Sequence, residues 1–192
     1  MMHRKWLIGI AFVALAAVGA VYIYVQGTRG STPAPSMGRG SQASFAESVK
    51  QPEKSVANLY FADKDNLYLI AESRVLMHAG NPVALGKSII RGLADGPQGE
   101  LMPTLPKGTD LRSLFILEDG TAVLDMSETV RDRHPGGCET ELLTIFSIVN
   151  SLVLNIDNIT AVKILIGGRE AATLAGHIDI RYPYKANMLL VR

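Results

Sequence analysis

The sequence predicts an α+β domain: a mixed β-sheet with two helices packed on one face, preceded by one N-terminal transmembrane helix and a flexible linker. Three observations carry this. Trp6 to Val25 is an unbroken run of 20 residues without a charge. A Gly-, Ser- and Pro-rich stretch follows it, in which large apolar residues are nearly absent. Beyond Val56, runs of strand-forming residues alternate with two stretches of helical periodicity, an order expected of helices interleaved with hairpins.

At ~1.5 Å per residue the 6–25 run is long enough to cross the ~30 Å hydrocarbon core of a bilayer. His3, Arg4 and Lys5 precede it, and positive charge beside a first span usually stays cytoplasmic. Residues 1–5 are therefore expected to be a short cytoplasmic tail and the rest to be exported, although Arg29 and Arg39 just beyond the span argue the other way. A cleaved signal peptide is the alternative, because Val18-Gly19-Ala20 has the small residues of a cleavage site. The apolar run continues past that point as VYIYV, and Tyr22 and Tyr24 suit the interfacial end of a retained helix. A lipid-modified N-terminus needs a Cys near residue 20, and the single Cys is Cys138. The expected location is the inner (cytoplasmic) membrane, single-pass, with an extracytoplasmic C-terminal domain. Residues 26–55 cannot bury enough apolar surface to offset their ordering entropy, so they read as a flexible linker.

The remaining 137 residues, 56–192, suffice for one domain with its own core. They carry 13 Lys+Arg and 16 Asp+Glu, a formal charge of −3, against +4 for the first 55 residues. A mildly acidic domain is a poor nucleic-acid binder. One Cys leaves no internal disulfide available.

Val56–Ala62 is β-rich and ends at Asp63-Lys64-Asp65-Asn66; Leu67–Leu76 resumes as a second strand, and the turn residues predict a hairpin. Asn81-Pro82 starts a helix, Asn as N-cap and Pro at the first helical position. Leu85, Ile89 and Leu93, with Val83 and Ile90, form its apolar stripe, and Asp95-Gly96-Pro97 ends it. Leu111–Leu117 and Thr121–Met126 flank Glu118-Asp119-Gly120, a strong hairpin signal. Ser127–Pro135 is a polar stretch. Gly136-Gly137 opens the second helix, in which Leu142, Ile145, Phe146, Val149, Leu152 and Val153 form the core-facing stripe. Glu139 and Glu141 sit where the helix dipole favours acids. Thr160–Ile166 is a β-run, Gly167-Gly168-Arg169-Glu170 a turn, and Leu174–Ile180 a possible short last strand.

Enzyme constellations are sparse. No phosphate-cradling loop, HExxH or paired Cys occurs, so no cofactor or standard metal site is expected. Cys138 at a helix N-terminus, with His134 four residues earlier as a base, could make a thiol-dependent or hydrolytic enzyme; the alternative is that Cys138 is a small residue filling the helix start. His78 and His177 read as surface or rim residues. Asp110, Asp119 and Asp125 would serve acid–base work only if two of them faced each other; turn and capping roles are the alternative.

The ordered motifs resemble a known family: LYF (59–61), a helix ending in GLADGP (92–97), LPKGT (105–109), LFILEDGTAVLDMS (114–127), ETELLTIFSIVNSL (139–152) and VKILIGG (162–168). Together they look like a GerMN domain, the sporulation and spore germination domain, over about residues 56–183. The resemblance implies a non-catalytic module outside the cell membrane, held by an anchor and linker, that bears on envelope or peptidoglycan-related assembly. Two departures are Cys138, where small or hydroxyl residues are usual, and the absence of the second domain copy that some members carry.

The expected function is therefore binding of a partner protein or cell wall, with no cofactor. The expected contact surface is the loop Ser127–Gly137, with Arg131, Arg133, His134, Gly136 and Gly137, next to Glu141 at the helix start; Arg suits bidentate contact with carboxylates. Glu141 is expected either to pair with a backbone N–H or a basic residue across a loop, or to be solvated. An exposed sheet edge is the next candidate surface.

Overall fold

A computed structural model describes residues 52–192, which lie within a compact unit spanning Ser48–Arg192. The expectations for the tail 1–5, the span 6–25 and most of the linker fall outside the described residues. Among the described residues no helix is long and apolar enough to cross a membrane.

The strands are β1 (Glu53–Ala62), β2 (Leu69–His78), β3 (Leu111–Ile116), β4 (Thr121–Met126) and β5 (Ala161–Ile166). The helices are α1 (Pro82–Asp95), the single turn α2 (Thr129–Asp132) and α3 (Cys138–Val153), with a 3-10 turn at Met188–Leu190. The α+β class is as expected, but the single sheet is corrected to two. β1 and β2 form one antiparallel pair; β3, β4 and β5 form the other sheet, antiparallel between β3 and β4 and parallel between β4 and β5. β1 begins at Glu53, inside the stretch read as linker, because Glu53 to Ser55 extend the ladder against His78 to Leu76.

Local chemistry explains the element ends. The Asn81 side chain accepts the Ala84 N–H at 2.7 Å, and Pro82 follows at the first helical position. Gly96 ends α1 with φ +85, a conformation that favours glycine. In the β3–β4 turn, Asp119 accepts the Thr121 N–H at 2.8 Å while Gly120 takes φ +83. The expected last strand over Leu174–Ile180 is corrected: only an isolated bridge between Thr173 and Asp179 forms there. The outer edge of β5 instead meets Tyr184, whose backbone exchanges two 2.8 Å hydrogen bonds with Val162.

The two long helices both pack against β1 and against each other, and each also reaches the second sheet, α1 at β3 and α3 at β5. α3 touches β1, β5, α1 and the 3-10 turn, and Leu143 to Leu152 are all buried. Leu59 and Phe61 of β1, Leu124 and Met126 of β4, and Val162, Ile164 and Ile166 of β5 close around it with Ile145, Ile148, Val149 and Leu152.

A helix buried all round must satisfy its polar side as well as its apolar one. Thr144, Ser147, Ser151 and Asn155 recur every three or four residues along α3 and just past its end, and each bonds a neighbouring main chain. Thr144 donates to the Thr104 carbonyl at 2.7 Å. Ser147 donates to the Tyr60 carbonyl at 2.6 Å, and Ser151 accepts the Tyr60 N–H at 3.0 Å. Asn155 makes a reciprocal pair with the backbone of Asn58, both bonds 2.8 Å. These side chains act as a surrogate strand along the outer edge of β1. On another side, Asn150 exchanges two bonds with the Asn187 backbone, at 2.9 and 3.1 Å.

Candidate functional site

The polar stretch Ser127–Gly137 connects β4 to α3 and is more ordered than its composition suggests. Val130, fully buried, pins the one-turn helix α2 to the core. The Ser127 N–H donates to the Asp110 carbonyl at 2.8 Å, and its hydroxyl accepts the Asp110 N–H at 2.9 Å. The loop 127–137 is thereby fastened to the loop that leads into β3.

His134 anchors the far end. The Gly136 N–H donates to its Nδ1 at 3.0 Å, which places the ring proton on Nε2, and Nε2 stands 3.0 Å from the Thr144 hydroxyl. Thr144 in turn donates to main-chain oxygens of α3 and of Thr104. Burial pushes the His134 pKa below its ordinary value; the neighbouring Glu141 charge opposes this and His177 adds to it. His134 is thus held neutral with both nitrogens engaged, and it offers no free lone pair to activate Cys138, which is exposed. Gly136 and Gly137 take φ +83 and +86, so the chain enters α3 through a conformation that L side chains rarely adopt.

Glu141 is the most constrained acid in the domain, with 0% exposure. Its Oε1 accepts the N–H groups of Ala175 at 2.9 Å and Ile178 at 3.0 Å; its Oε2 accepts that of His177 at 2.9 Å and faces His177 Nδ1 at 3.2 Å. Of the two sequence expectations for Glu141, pairing with backbone N–H groups across a loop is the one realised. Burial alone would raise its pKa, but the backbone N–H bonds and the His177 contact outweigh it and hold the carboxyl below its usual value. Glu141 therefore clamps the turn that replaces the expected last strand.

Arg131 and Arg133 of the same loop are both exposed. Arg131 has long contacts only, 3.5 Å to Glu128 and 3.4 Å to the Leu174 carbonyl. Arg133 reaches the Lys107 carbonyl at 3.3 Å. Among the described residues neither guanidinium has the bidentate carboxylate partner its geometry suits.

The remaining candidates have structural partners. The His78 ring meets the Ser55 hydroxyl at 2.8 Å and the Gly80 N–H at 3.1 Å, and His177 lies against Glu141. Asp125 is held by Arg112 at 2.9 Å and the Gly168 N–H at 2.7 Å, while Asp119 caps its own turn. Among the described residues no group of three or more His, Cys, Asp or Glu is placed to hold a metal ion. Sequence reasoning missed the polar ladder on α3 and a basic groove beside α1. The only available signal for the groove was Lys87 and Arg91, one helical turn apart.

A family model described as "Germane: Sporulation and spore germination" matches residues 58–172. No curated protein matches the chain. A candidate lipoprotein from Clostridium perfringens is 28% identical, with TM-score 0.51, over 69% of this chain and 87% of that one. The first GerMN domain of the sporulation protein GerM from Bacillus subtilis is 23% identical, with TM-score 0.55, over 69% of this chain and 97% of that one. The tandem GerMN domains of the same protein are 23% identical, with TM-score 0.54, over 68% of this chain and 46% of that one. The likeness to both GerM structures is one of fold, and the chain spans about half the length of the tandem.

Proposed function

We infer, for a chain that belongs to the sporulation and spore germination domain family, that it is a non-catalytic envelope module acting by binding a partner protein or the cell wall. One observation carries the reading. Two exposed guanidiniums, Arg131 and Arg133, without a bidentate partner among the described residues, stand on a loop that is held by Ser127, Val130 and His134. A preorganised loop loses little entropy on binding, and Arg presents a planar fork to carboxylates, which occur in peptidoglycan and on acidic protein surfaces. His134, Gly136 and Gly137 shape the loop, and Glu141 fixes the turn beside it. Replacing Arg131 and Arg133 with Ala in the full chain is expected to lower retention on isolated cell wall or on a co-purified partner without changing the melting temperature. Unchanged retention by the folded variant would exclude the loop as the contact.

The same reading places the domain outside the cytoplasmic membrane, on a retained helix over 6–25 and a spacer that runs from residue 26 to the start of β1 at Glu53. The charge order around Trp6–Val25 supports it. A reporter that is active only outside the membrane, fused after Arg192, is expected to be active. An inactive, well-expressed fusion would reverse the topology.

A further inference from the structure

A groove of about 860 Å³ separates the second half of α1 from the loop 103–111. That volume lies within the range of sites that take drug-sized ligands. Lys87, Arg91 and Lys107 line it. Among the described residues none of the three has an ion pair. Lys87 and Arg91 are four residues apart on α1, so they project from one face. Arg133 approaches the rim through the Lys107 carbonyl.

Two further observations mark this as more than a solvated basic surface. Thr109, in the groove wall, is 3% exposed, yet its hydroxyl has no hydrogen-bond partner among the described residues, a state rare for a buried polar atom. The wall is also preorganised. The Thr109 N–H donates to the Pro106 carbonyl at 3.1 Å, and Gly108 holds the turn at φ +84.

We propose that this groove binds an extended acidic segment of a partner protein, its carboxylates meeting Lys87, Arg91 and Lys107. The composition of the wall selects this class. Ala94, Pro97 and Pro103 offer apolar surface for alternate side chains, over the buried Ile90 and Leu105. Asp95 and Asp110 can accept peptide N–H groups, and they disfavour a densely charged polyanion. The chain's own N-terminal segment is a poor occupant: residues 1–51 carry Arg4, Lys5, Arg29, Arg39 and Lys50 against Glu47 alone. The proposal is distinct from the Arg131–Arg133 contact and does not need it.

The test uses the full chain in detergent micelles and a fluorescein-labelled peptide of alternating Glu and Leu, read by fluorescence anisotropy. The same peptide with Gln for Glu is the control. The Glu peptide is expected to bind, and the Gln peptide to bind about tenfold more weakly or worse. Lys87→Ala with Arg91→Ala, both at exposed positions, is expected to weaken the Glu peptide by about tenfold while leaving circular dichroism and melting unchanged. The pair Arg131→Ala with Arg133→Ala is expected to leave most of the affinity in place. Equal binding of the two peptides, or full affinity in the folded Lys87/Arg91 variant, overturns the proposal. Displacement of the peptide by tripolyphosphate at lower concentration than by unlabelled Glu peptide also overturns it, in favour of a general anion site.

Discussion

Glu141→Ala is expected to lower the unfolding free energy by roughly 3–5 kcal/mol, the cost of removing one partner from a buried charged network. The variant removes the shared acceptor of the Ala175, His177 and Ile178 N–H groups from a half-buried turn, and each donor left without a partner costs about 1–3 kcal/mol where water cannot reach it. Glu141→Gln keeps the volume but turns an NH₂ donor toward other donors, so it should remain strongly destabilising. Glu139→Gln, at an exposed position two residues earlier, is expected to cost well under ~1 kcal/mol. Urea unfolding at neutral pH separates these outcomes; similar costs at the two positions would show that the clamp is not structural.

The clamp also has a pH signature. The folded-state pKa of Glu141 lies below its ordinary value of 4.5. Its contribution is therefore present above that value and is lost as pH falls through the lower, folded pKa. Wild-type stability should fall on acidification below about pH 4.5, and Glu141→Gln should lack that part of the decline. Parallel pH profiles for the two proteins would contradict the assignment.

Phe146→Ala is expected to cost about 3–5 kcal/mol. Phe146 is 7% exposed, and its ring meets Tyr184 edge-on, centroids 5.4 Å apart and planes at 79°. Truncation leaves a cavity in α3 and also removes the packing that holds Tyr184 beside β5. Amide exchange at Val162 and Tyr184, which pair through their backbones, should accelerate more than exchange within the β1–β2 hairpin. Uniform acceleration would show that Phe146 supports the whole core rather than this docking.

Much of the fold was legible where one local signal decides a structure. Asn81-Pro82 and Gly96 bounded α1 because cap chemistry acts within a few residues. Asp119-Gly120 specified the β3–β4 turn because Gly tolerates a positive φ and Asp can bond its own turn. The stripe of Ile145, Phe146 and Val149 placed α3 against a core. The candidate site was legible in part: Arg131, Arg133 and His134 were found as a polar, basic loop, but whether each faced solvent or the interior was not in the pattern.

By itself, then, the sequence determined the α+β class, the order of the five strands and two long helices, the two hairpins, and the acidic balance of the domain. All of these follow from periodicity, caps and composition. Only the tertiary structure decided that α3 lies buried between two sheets, that Thr144, Ser147, Ser151 and Asn155 edge β1, and that Glu141 ties down residues 175–178. It also decided that Tyr184, rather than a strand over 174–180, completes the edge of β5. The physical reason is that periodicity records which side of a helix is polar but not what that side meets. Water and a buried main chain ask for the same hydroxyls, amides and carboxylates, and only the contacts made by residues distant along the chain distinguish them.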